Sequence, residues 1–164
     1  MTPAEGFAER LDAVVARLEA HAAGLREGLT DADPRTGERW DQGQVWAHLA
    51  EFIPYWIVQV GTILAADEPP AFGRTQADIH RIAEIERRRD EAPAALMGTV
   101  REESAALRDL LLRLDPAAWE RRGVHPTLGE MTVTRIVEEF LVGHLEQHAT
   151  QLDGLQRSEG LHSR

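Results

Sequence analysis

The feature that most constrains the fold is a helical repeat of apolar residues that recurs along most of the chain. In four stretches, apolar side chains follow one another at steps of three or four residues, which places them on one face of an α-helix. No stretch shows the alternation of apolar and polar residues that is typical of strands. The sequence therefore predicts an all-α protein, a four-helix bundle with long loops between its helices. The long helices are expected at about residues 3–29, 41–63, 93–114 and 132–156.

Local signals mark where these helices begin and end. Asp41, with Gln44 three residues later, predicts a capping box at the start of the second helix, and Pro54 predicts a kink within it. Thr2-Pro3 and Gly28 mark the start and end of the first helix, and Thr132 is the expected N-cap of the last helix. Asp115-Pro116 predicts a short turn that ends at Trp119. A less regular helical region is expected at about 77–90 and a linker at 121–130. We expect one domain at 1–156 and a flexible C-terminal tail at 157–164.

Composition excludes several classes of function. The 164 residues are enough for one domain with a core, and the chain contains no cysteine, which excludes disulfides, Cys-ligated metals and a thiolate nucleophile of its own. Every one of the 18 basic residues is arginine, which excludes a Schiff-base lysine and a P-loop lysine. With 28 acidic residues the formal charge is -10, which opposes binding to nucleic acid or to an anionic membrane. The N-terminus has early acidic residues and no run of about 18 apolar residues occurs, so a cytoplasmic location is expected.

Histidines interrupt the apolar face of two helices. In the last helix the apolar stripe continues directly through His144 and His148, and in the second helix His48 occupies the apolar face one turn before Phe52. An i, i+4 pair separates its Cβ atoms by about 6 Å, so two imidazoles on one helix can meet one cation. Three inward histidines from two helices form a facial set, which leaves coordination positions open for water or substrate.

Core packing is the competing interpretation of these histidines, and spacing alone does not separate the two. A histidine on an apolar face is often a core residue with one hydrogen bond, although an unpartnered buried polar group costs roughly 1–3 kcal/mol. Two better-known motifs are absent: in "HLEQH" the acid Glu146 lies two residues after His144, unlike the zincin His-Glu-x-x-His, and no Glu-x-x-His of the di-iron type includes these histidines. If the three histidines are metal ligands, the sequence predicts a single metal ion.

Three stretches carry a resemblance to a known family. "VWAHLAE" in the second helix, "HPTLGEMTV" before the last helix and "VGHLEQHATQL" within it resemble the DinB-like (YfiT-like) superfamily of metal-binding four-helix bundles, in the same order and over nearly the whole chain. The resemblance implies one divalent metal, zinc or nickel, held by His48, His144 and His148, and it also suggests a homodimer. The superfamily includes S-transferases that use bacillithiol or mycothiol, and the mycothiol-dependent maleylpyruvate isomerase.

Further side chains are expected around this site. Glu51, three residues after His48, is a candidate to orient a ligand or accept a proton, although a carboxylate on the surface edge of the helix is an equally good interpretation. Gln151 is a candidate for the pocket or for supporting a ligand, and Phe52, Tyr55 and Trp56 are expected to line the pocket or the core. No role is assigned to the other histidines, which are His21, His80, His125 and His162; of these, His125 is expected to be exposed in the linker.

Three function hypotheses follow. The first is a metal-dependent transferase, in which a low-molecular-weight thiol such as bacillithiol or mycothiol is activated at the metal and attacks a small electrophile. The second is a metal-dependent hydrolase on the same three histidines, with water as the nucleophile. The third is a noncatalytic metal-binding bundle with a stress-response role, in which the cation ties two helices together. The resemblance places the transferase first; no residue identifies the thiol or the acceptor.

Overall fold

The structure, a computed structural model, describes residues 1–157. The α-helices are α1 (Pro3–Ala22), α2 (Gln42–Ala65), α3 (Ile79–Arg88), α4 (Pro93–Arg113), α5 (Pro116–Trp119), α6 (Val133–Ile136) and α7 (Gly143–Gly154), with a π-helix (Val137–Val142) between the last two; the strands are β1 (Arg26–Glu27), β2 (Arg122–His125), β3 (Gly129–Thr132) and β4 (Gln156–Arg157). Residues 158–164, the greater part of the predicted tail, lie outside the described range. Within residues 1–157, no helix is long and apolar enough to cross a membrane.

The predicted four-helix bundle is confirmed. Helix α1 contacts α4 and α7, and α2 also contacts α4 and α7, so the order around the bundle is α1, α4, α2 and α7. Each long helix contributes fully buried apolar side chains to one continuous core, among them Leu11 and Leu18 of α1, Leu49 and Ile53 of α2, Leu107 and Leu111 of α4, and Leu145 and Leu152 of α7. Helix α3 packs on the outside of α2.

Most helix boundaries follow the predicted signals. The capping box of α2 forms as expected: the Asp41 carboxylate accepts from the Gln44 backbone N–H at 2.9 Å, and the Gln44 side chain accepts from the Asp41 N–H at 3.0 Å. Helix α2 continues through Pro54 to Ala65. The start of α2 packs closely on the end of α3. A Cβ at Gly43 would therefore collide with the Arg89 carbonyl group. Glycine at position 43 is therefore required by this helix contact.

The prediction for the end of the first helix was wrong, since α1 ends at Ala22 and not near residue 29. The next segment leaves the helix because its backbone is bound by the start of α2: Gln42 accepts from the Arg26 N–H at 2.7 Å and donates to the Gly24 carbonyl at 3.0 Å. Strand β1 then pairs antiparallel with β4. Leu25 and Leu29, which the periodicity placed on the buried face, are 68% and 57% exposed.

The linker at 121–130 was also predicted wrongly, because it forms most of a β-hairpin. Strands β2 and β3 pair antiparallel, with His125 opposite Gly129 and Arg122 opposite Thr132. Gly129 adopts φ +72° at the end of the turn, a conformation that favours glycine. His125, expected to be exposed, is only 5% exposed because the hairpin places alternate residues against the bundle.

The last helix is not the continuous α-helix that was predicted. It begins where expected, with Thr132 accepting from the Arg135 N–H at 3.2 Å, but a π-helix replaces the α-helix at Val137–Val142. A Cβ at Gly143 would collide with the Glu138 carbonyl five residues earlier, so glycine permits the transition back to α-helix. A π-turn holds more residues than an α-turn and therefore changes the direction of the side chains that follow, which begin with His144.

Candidate metal centre

Three imidazoles meet between α2 and α7. The Nε2 atom of His144 lies 3.0 Å from Nε2 of His48 and 3.0 Å from Nε2 of His148. His48 and His148 are buried and His144 is half-buried. One ligand atom from each of the three residues falls within 4.8 Å of the others, and among residues 1–157 this is the group of histidine and acidic side chains with the geometry to hold a metal ion.

Each imidazole is held from behind by a residue three positions later in its own helix. Nδ1 of His48 lies 2.9 Å from a Glu51 oxygen, Nδ1 of His144 lies 3.3 Å from the Gln147 amide oxygen, and Nδ1 of His148 lies 2.6 Å from the Gln151 amide oxygen. Because these oxygens accept hydrogen bonds, the proton of each neutral ring lies on Nδ1 and the lone pair lies on Nε2. All three lone pairs therefore point at the same region.

This arrangement is electrostatically unfavourable unless a cation shares the lone pairs. Burial lowers the pKa of His148 to about 4 and, with the neighbouring imidazoles adding to the effect, lowers the pKa values of His48 and His144 well below the usual range. The rings are therefore neutral at neutral pH, the form that binds metals. Two nitrogen ligands of a tetrahedral site, each about 2.1 Å from the metal, lie about 3.4 Å apart. The separations of 3.0 Å are close to that value, so the three residues fit one cation.

Two aromatic rings enclose the histidines. The Phe52 ring centroid lies 5.0 Å from that of His48, 4.7 Å from that of His144 and 5.9 Å from that of His148. Trp40, in the loop before α2, stacks on His148 at 5.9 Å and meets the edge of His48 at 5.1 Å. Both rings are buried, and they make the surroundings of the cluster apolar. An apolar surrounding strengthens the attraction between a cation and its ligands.

Glu51 is a buried carboxylate, so its interpretation as a surface residue was wrong. Its side chain is 4% exposed, and it contacts both His48 and the guanidinium of Arg74, with which it forms an ion pair. Burial raises the pKa of Glu51, and the charge of Arg74 opposes that rise. The Arg74 guanidinium in turn lies over the Tyr55 ring, 3.9 Å from its centroid.

A cavity of 1140 Å³ opens onto the histidines. His144 and Gln151 line it, as does Trp56, whereas Phe52 is fully buried behind the imidazoles. The rest of the lining is of mixed chemistry. The charged residues of the lining include Arg10, Arg35, Glu138, Glu139 and Glu146, the aromatic and apolar ones include His125, Leu128 and Phe140, and Arg74 and Arg81 also line the cavity. The site therefore combines an enclosed ligand set with room for organic molecules beside it.

The other histidines do not join the cluster. His21 contacts Asp153 at 2.5 Å and connects α1 to α7, His80 is exposed, and His162 lies outside the described residues. Three other residues of the site, Gln147, Trp40 and Arg74, were not predicted from the sequence. Gln147 carries a detectable signal, because it follows His144 at the same three-residue spacing as Glu51 follows His48. Trp40 and Arg74 lie in loops, where no periodicity indicates which side chains face the site.

Comparisons with known proteins identify the family and the fold. The sequence model of the DinB superfamily matches residues 10–152. YfiT from Bacillus subtilis, described as "a probable metal-dependent hydrolase with an unusual four-helix bundle topology", is 20% identical, with 92% of this chain and 83% of that chain covered and a TM-score of 0.73. The mycothiol-dependent maleylpyruvate isomerase is 14% identical, and the match covers 92% of this chain but 61% of the isomerase, with a TM-score of 0.69. No curated protein matches the sequence. At these identities the two structures show a shared fold.

Proposed function

This chain belongs to the DinB superfamily, and we propose that His48, His144 and His148 bind one divalent cation, zinc or nickel, that activates a low-molecular-weight thiol for attack on a small electrophile. The observation that carries the proposal is the convergence of three Nε2 lone pairs at the wall of a large cavity, each imidazole being held at Nδ1 by its own acceptor. Core packing has no need of this arrangement, since one hydrogen bond per ring would satisfy a buried histidine.

When bound, a divalent cation would lower the pKa of a thiol beside it and keep it as the thiolate at neutral pH. The sulfur must come from a cosubstrate, because the chain contains no cysteine. In the transfer, the sulfur–carbon bond forms while the leaving group departs with its electron pair, and the thiol proton passes to solvent. The protein's own residues hold the imidazoles in position and exclude water from their apolar side.

The size of the cavity supports a reaction of two organic molecules. A pocket for one small ligand typically measures about 300–1000 Å³. The cavity here is 1140 Å³, and its lining includes the three histidines together with charged and apolar residues. A polar thiol cosubstrate and a small electrophile therefore have room to bind side by side. Bacillithiol and mycothiol are the cosubstrates we propose to test first, because the fold is shared with a mycothiol-dependent isomerase.

Of the two roles expected for Glu51, the geometry supports the orientation of His48. Its two oxygens are engaged by His48 and Arg74, and its side chain is 4% exposed. A proton acceptor in the reaction would have to reach the substrate, and a carboxylate enclosed in this way does not. Gln147 and Gln151 support His144 and His148 in the corresponding manner.

The location of the protein follows from this function as a further proposal, and its assembly is proposed on other grounds. A reaction that consumes a free thiol requires a compartment in which such thiols are kept reduced, and the cytoplasm is such a compartment. The small-molecule substrates would enter through the cavity. A homodimer is proposed on the resemblance to the superfamily.

A metal-dependent hydrolase is the second candidate, favoured by the likeness to YfiT at a TM-score of 0.73. On the same three histidines, water would take the place of the thiol as nucleophile. The two functions differ in one testable respect, since a hydrolase turns over its substrate in the absence of thiol and a transferase does not.

The test uses zinc-loaded and nickel-loaded protein, 1-chloro-2,4-dinitrobenzene as a model electrophile, and bacillithiol, mycothiol or glutathione as the thiol. The proposal expects release of chloride above the uncatalysed rate only when metal and thiol are both present. His144→Ala is expected to abolish this rate, whereas His80→Ala, which replaces an exposed histidine outside the cluster, is expected to retain it. No rate above background with any thiol would reject the transferase, and hydrolysis of model esters without thiol would favour the hydrolase.

A further inference from the structure

We propose that His125 of the β-hairpin is a positioning residue for the candidate metal centre. It would hold the backbone of Arg74, whose side chain holds Glu51, which in turn fixes the ring of His48. The inference rests on the proposed function, since it assumes that His48 is a ligand. It assigns a role in the site to a histidine more than 70 residues away from His48 in the sequence.

Both ring nitrogens of His125 form hydrogen bonds within the protein. Its Nε2 lies 3.2 Å from the Arg74 carbonyl oxygen and donates to it, while its Nδ1 accepts from the backbone N–H groups of Thr127 and Leu128, each at 3.2 Å. The residue is 5% exposed. Both nitrogens therefore have partners, and the ring is locked in one tautomer with its proton on Nε2. This is the opposite tautomer from that of the three clustered histidines.

The segment at 70–74, which His125 contacts, is held by hydrogen bonds to the hairpin and to α2. The Phe72 N–H donates to the Val124 carbonyl at 3.0 Å, the Val124 N–H donates to the Pro70 carbonyl at 2.8 Å, and the Gly73 N–H donates to the Gln59 side chain of α2 at 2.7 Å. Gly73 adopts φ +83°, and a Cβ there would lie 2.8 Å from the His125 ring. The hairpin and α2 together therefore determine where the backbone of Arg74 lies.

The side chain of Arg74 extends from this segment into the protein interior. It is 9% exposed, it lies over the Tyr55 ring, and it forms the ion pair with Glu51. A buried carboxylate that loses its partner is strongly destabilised, so the position of Glu51 depends on that of Arg74. The other Glu51 oxygen lies 2.9 Å from Nδ1 of His48, and both side chains are 4% exposed. A displacement of Arg74 would therefore reach the ring of a proposed ligand through one intermediate residue.

His125 also contacts the helical run that bears the other two histidines. Its ring stacks on Phe140 of the π-helix, with centroids 5.1 Å apart and an angle of 17° between the planes. Phe140 stacks in turn on Trp56 of α2 at 4.2 Å. The hairpin histidine thus lies against both helical elements that meet at the cluster, and it touches no member of the cluster itself. Its effect on the site must therefore be indirect.

The test compares metal affinity in matched variants of the full-length protein. The dissociation constant for Zn²⁺ is measured by competition with a chromophoric chelator, together with the visible spectrum of the Co²⁺-loaded protein. His125→Phe keeps the ring volume and the stacking but loses the three hydrogen bonds of the ring to the backbone of Arg74, Thr127 and Leu128, whereas His125→Gln keeps an N–H donor toward Arg74. Loss of a hydrogen-bonding partner behind a ligand typically weakens metal binding 10- to 100-fold. We expect His125→Phe to weaken Zn²⁺ binding about 10-fold and to alter the Co²⁺ spectrum, and His125→Gln to remain within about 3-fold of wild type.

Controls separate positioning from general stability. Arg74→Met should weaken binding at least as much as His125→Phe, and the double variant should be no weaker than Arg74→Met alone, because both act through the same ion pair. His21→Phe, which replaces another buried histidine away from the cluster, should leave the dissociation constant unchanged. If His125→Phe does not fold, Gly73→Ala applies the same test, since its Cβ would displace the segment against His125.

The failures of the two proposals are distinguishable. Wild-type protein that binds one Zn²⁺, with His125→Phe and Arg74→Met binding it equally tightly, would overturn the positioning role and leave the metal site intact. Wild-type protein that binds neither Zn²⁺ nor Co²⁺ would overturn the metal site and the positioning role together.

Discussion

The two sides of this bundle are built in different ways. On the α1–α4 side the buried residues are almost all apolar, and the two helices are joined at their exposed surface by ion pairs such as Arg101–Glu19 at 2.5 Å and Arg108–Asp12 at 3.1 Å. On the α2–α7 side the interior contains three imidazoles, a carboxylate and an amide within hydrogen-bonding distance of one another.

The difference indicates how stability and chemistry are divided between the two sides. Burial of apolar side chains stabilises the α1–α4 side without any ligand. The α2–α7 side encloses nitrogen lone pairs that face one another, an arrangement that costs stability until a cation occupies it. A site that breaks the usual packing rules in this way is typical of a functional centre in an otherwise regular fold.

The largest expected effect lies on the α1–α4 side. Leu107 of α4 is fully buried, so Leu107→Ala should lower the free energy of unfolding by about 2–5 kcal/mol, through lost burial and the cavity that remains. Because α4 contributes no ligand to the histidine cluster, we expect the loss to be the same with zinc bound and after chelation, as measured by urea denaturation. Leu112→Ala, at a position 45% exposed in the same helix, serves as the control and should change stability by less than about 0.5 kcal/mol. Loss of metal from folded Leu107→Ala protein would contradict the separation of apolar packing on the α1–α4 side from metal binding on the α2–α7 side.

The second largest effect is expected from acid on the α2–α7 side of the metal-free protein, where a fall in pH should lower the free energy of unfolding. The pKa of His148 is about 4 in the folded state and 6.5 in a reference state, so the unfolded chain takes up the proton first as the pH falls. The stability that the neutral ring contributes is complete above pH 6.5 and is lost as the pH falls to about 4, which amounts to on the order of 3 kcal/mol for this one group.

The measurement is urea denaturation of chelated protein at several pH values between 7 and 4. His148→Gln should lack this part of the pH dependence, whereas Leu107→Ala should keep the full wild-type dependence at lower overall stability. Equal pH dependence in wild type and His148→Gln would show that His148 is not held as a buried neutral ring.

The smallest expected effect is that of the surface ion pairs. Arg108 and Asp12 have side chains 43% and 57% exposed, so their pairing is screened by water and salt. Arg108→Met should lower the free energy of unfolding by at most about 1 kcal/mol, and the difference should shrink at high salt. Thermal denaturation at low and high ionic strength checks this. A loss of more than about 2 kcal/mol would mean that the pair, and not burial, holds α1 to α4.

Much of the fold could be predicted because it depends on local signals. Helix α2 began at the expected capping box, and α4 was placed at 93–114 against the observed Pro93–Arg113. The hairpin and the π-helix were missed for a physical reason. Four-residue strands are too short to show alternation, and a π-turn depends on packing and on a glycine five residues after the carbonyl that it approaches.

The candidate site divides in the same way. His48, His144, His148, Glu51 and Gln151 were chosen from helical spacing, and the structure brings all five together. Trp40, Arg74 and the inward position of His125 depend on loop and hairpin conformations, which bring residues together that are far apart in sequence. Periodicity describes one helix at a time and carries no information about such contacts.

The central claim is that the three histidines hold one cation, and metal content tests it most directly. Untagged protein purified without chelator is analysed by mass spectrometry for metal per chain, for wild type, His144→Ala and His148→Ala, with helicity followed by circular dichroism. We expect about one zinc or nickel ion per wild-type chain and none in either variant, while helicity is kept. Folded wild-type protein that takes up neither metal when both are supplied, or variants that retain the ion, would contradict the claim.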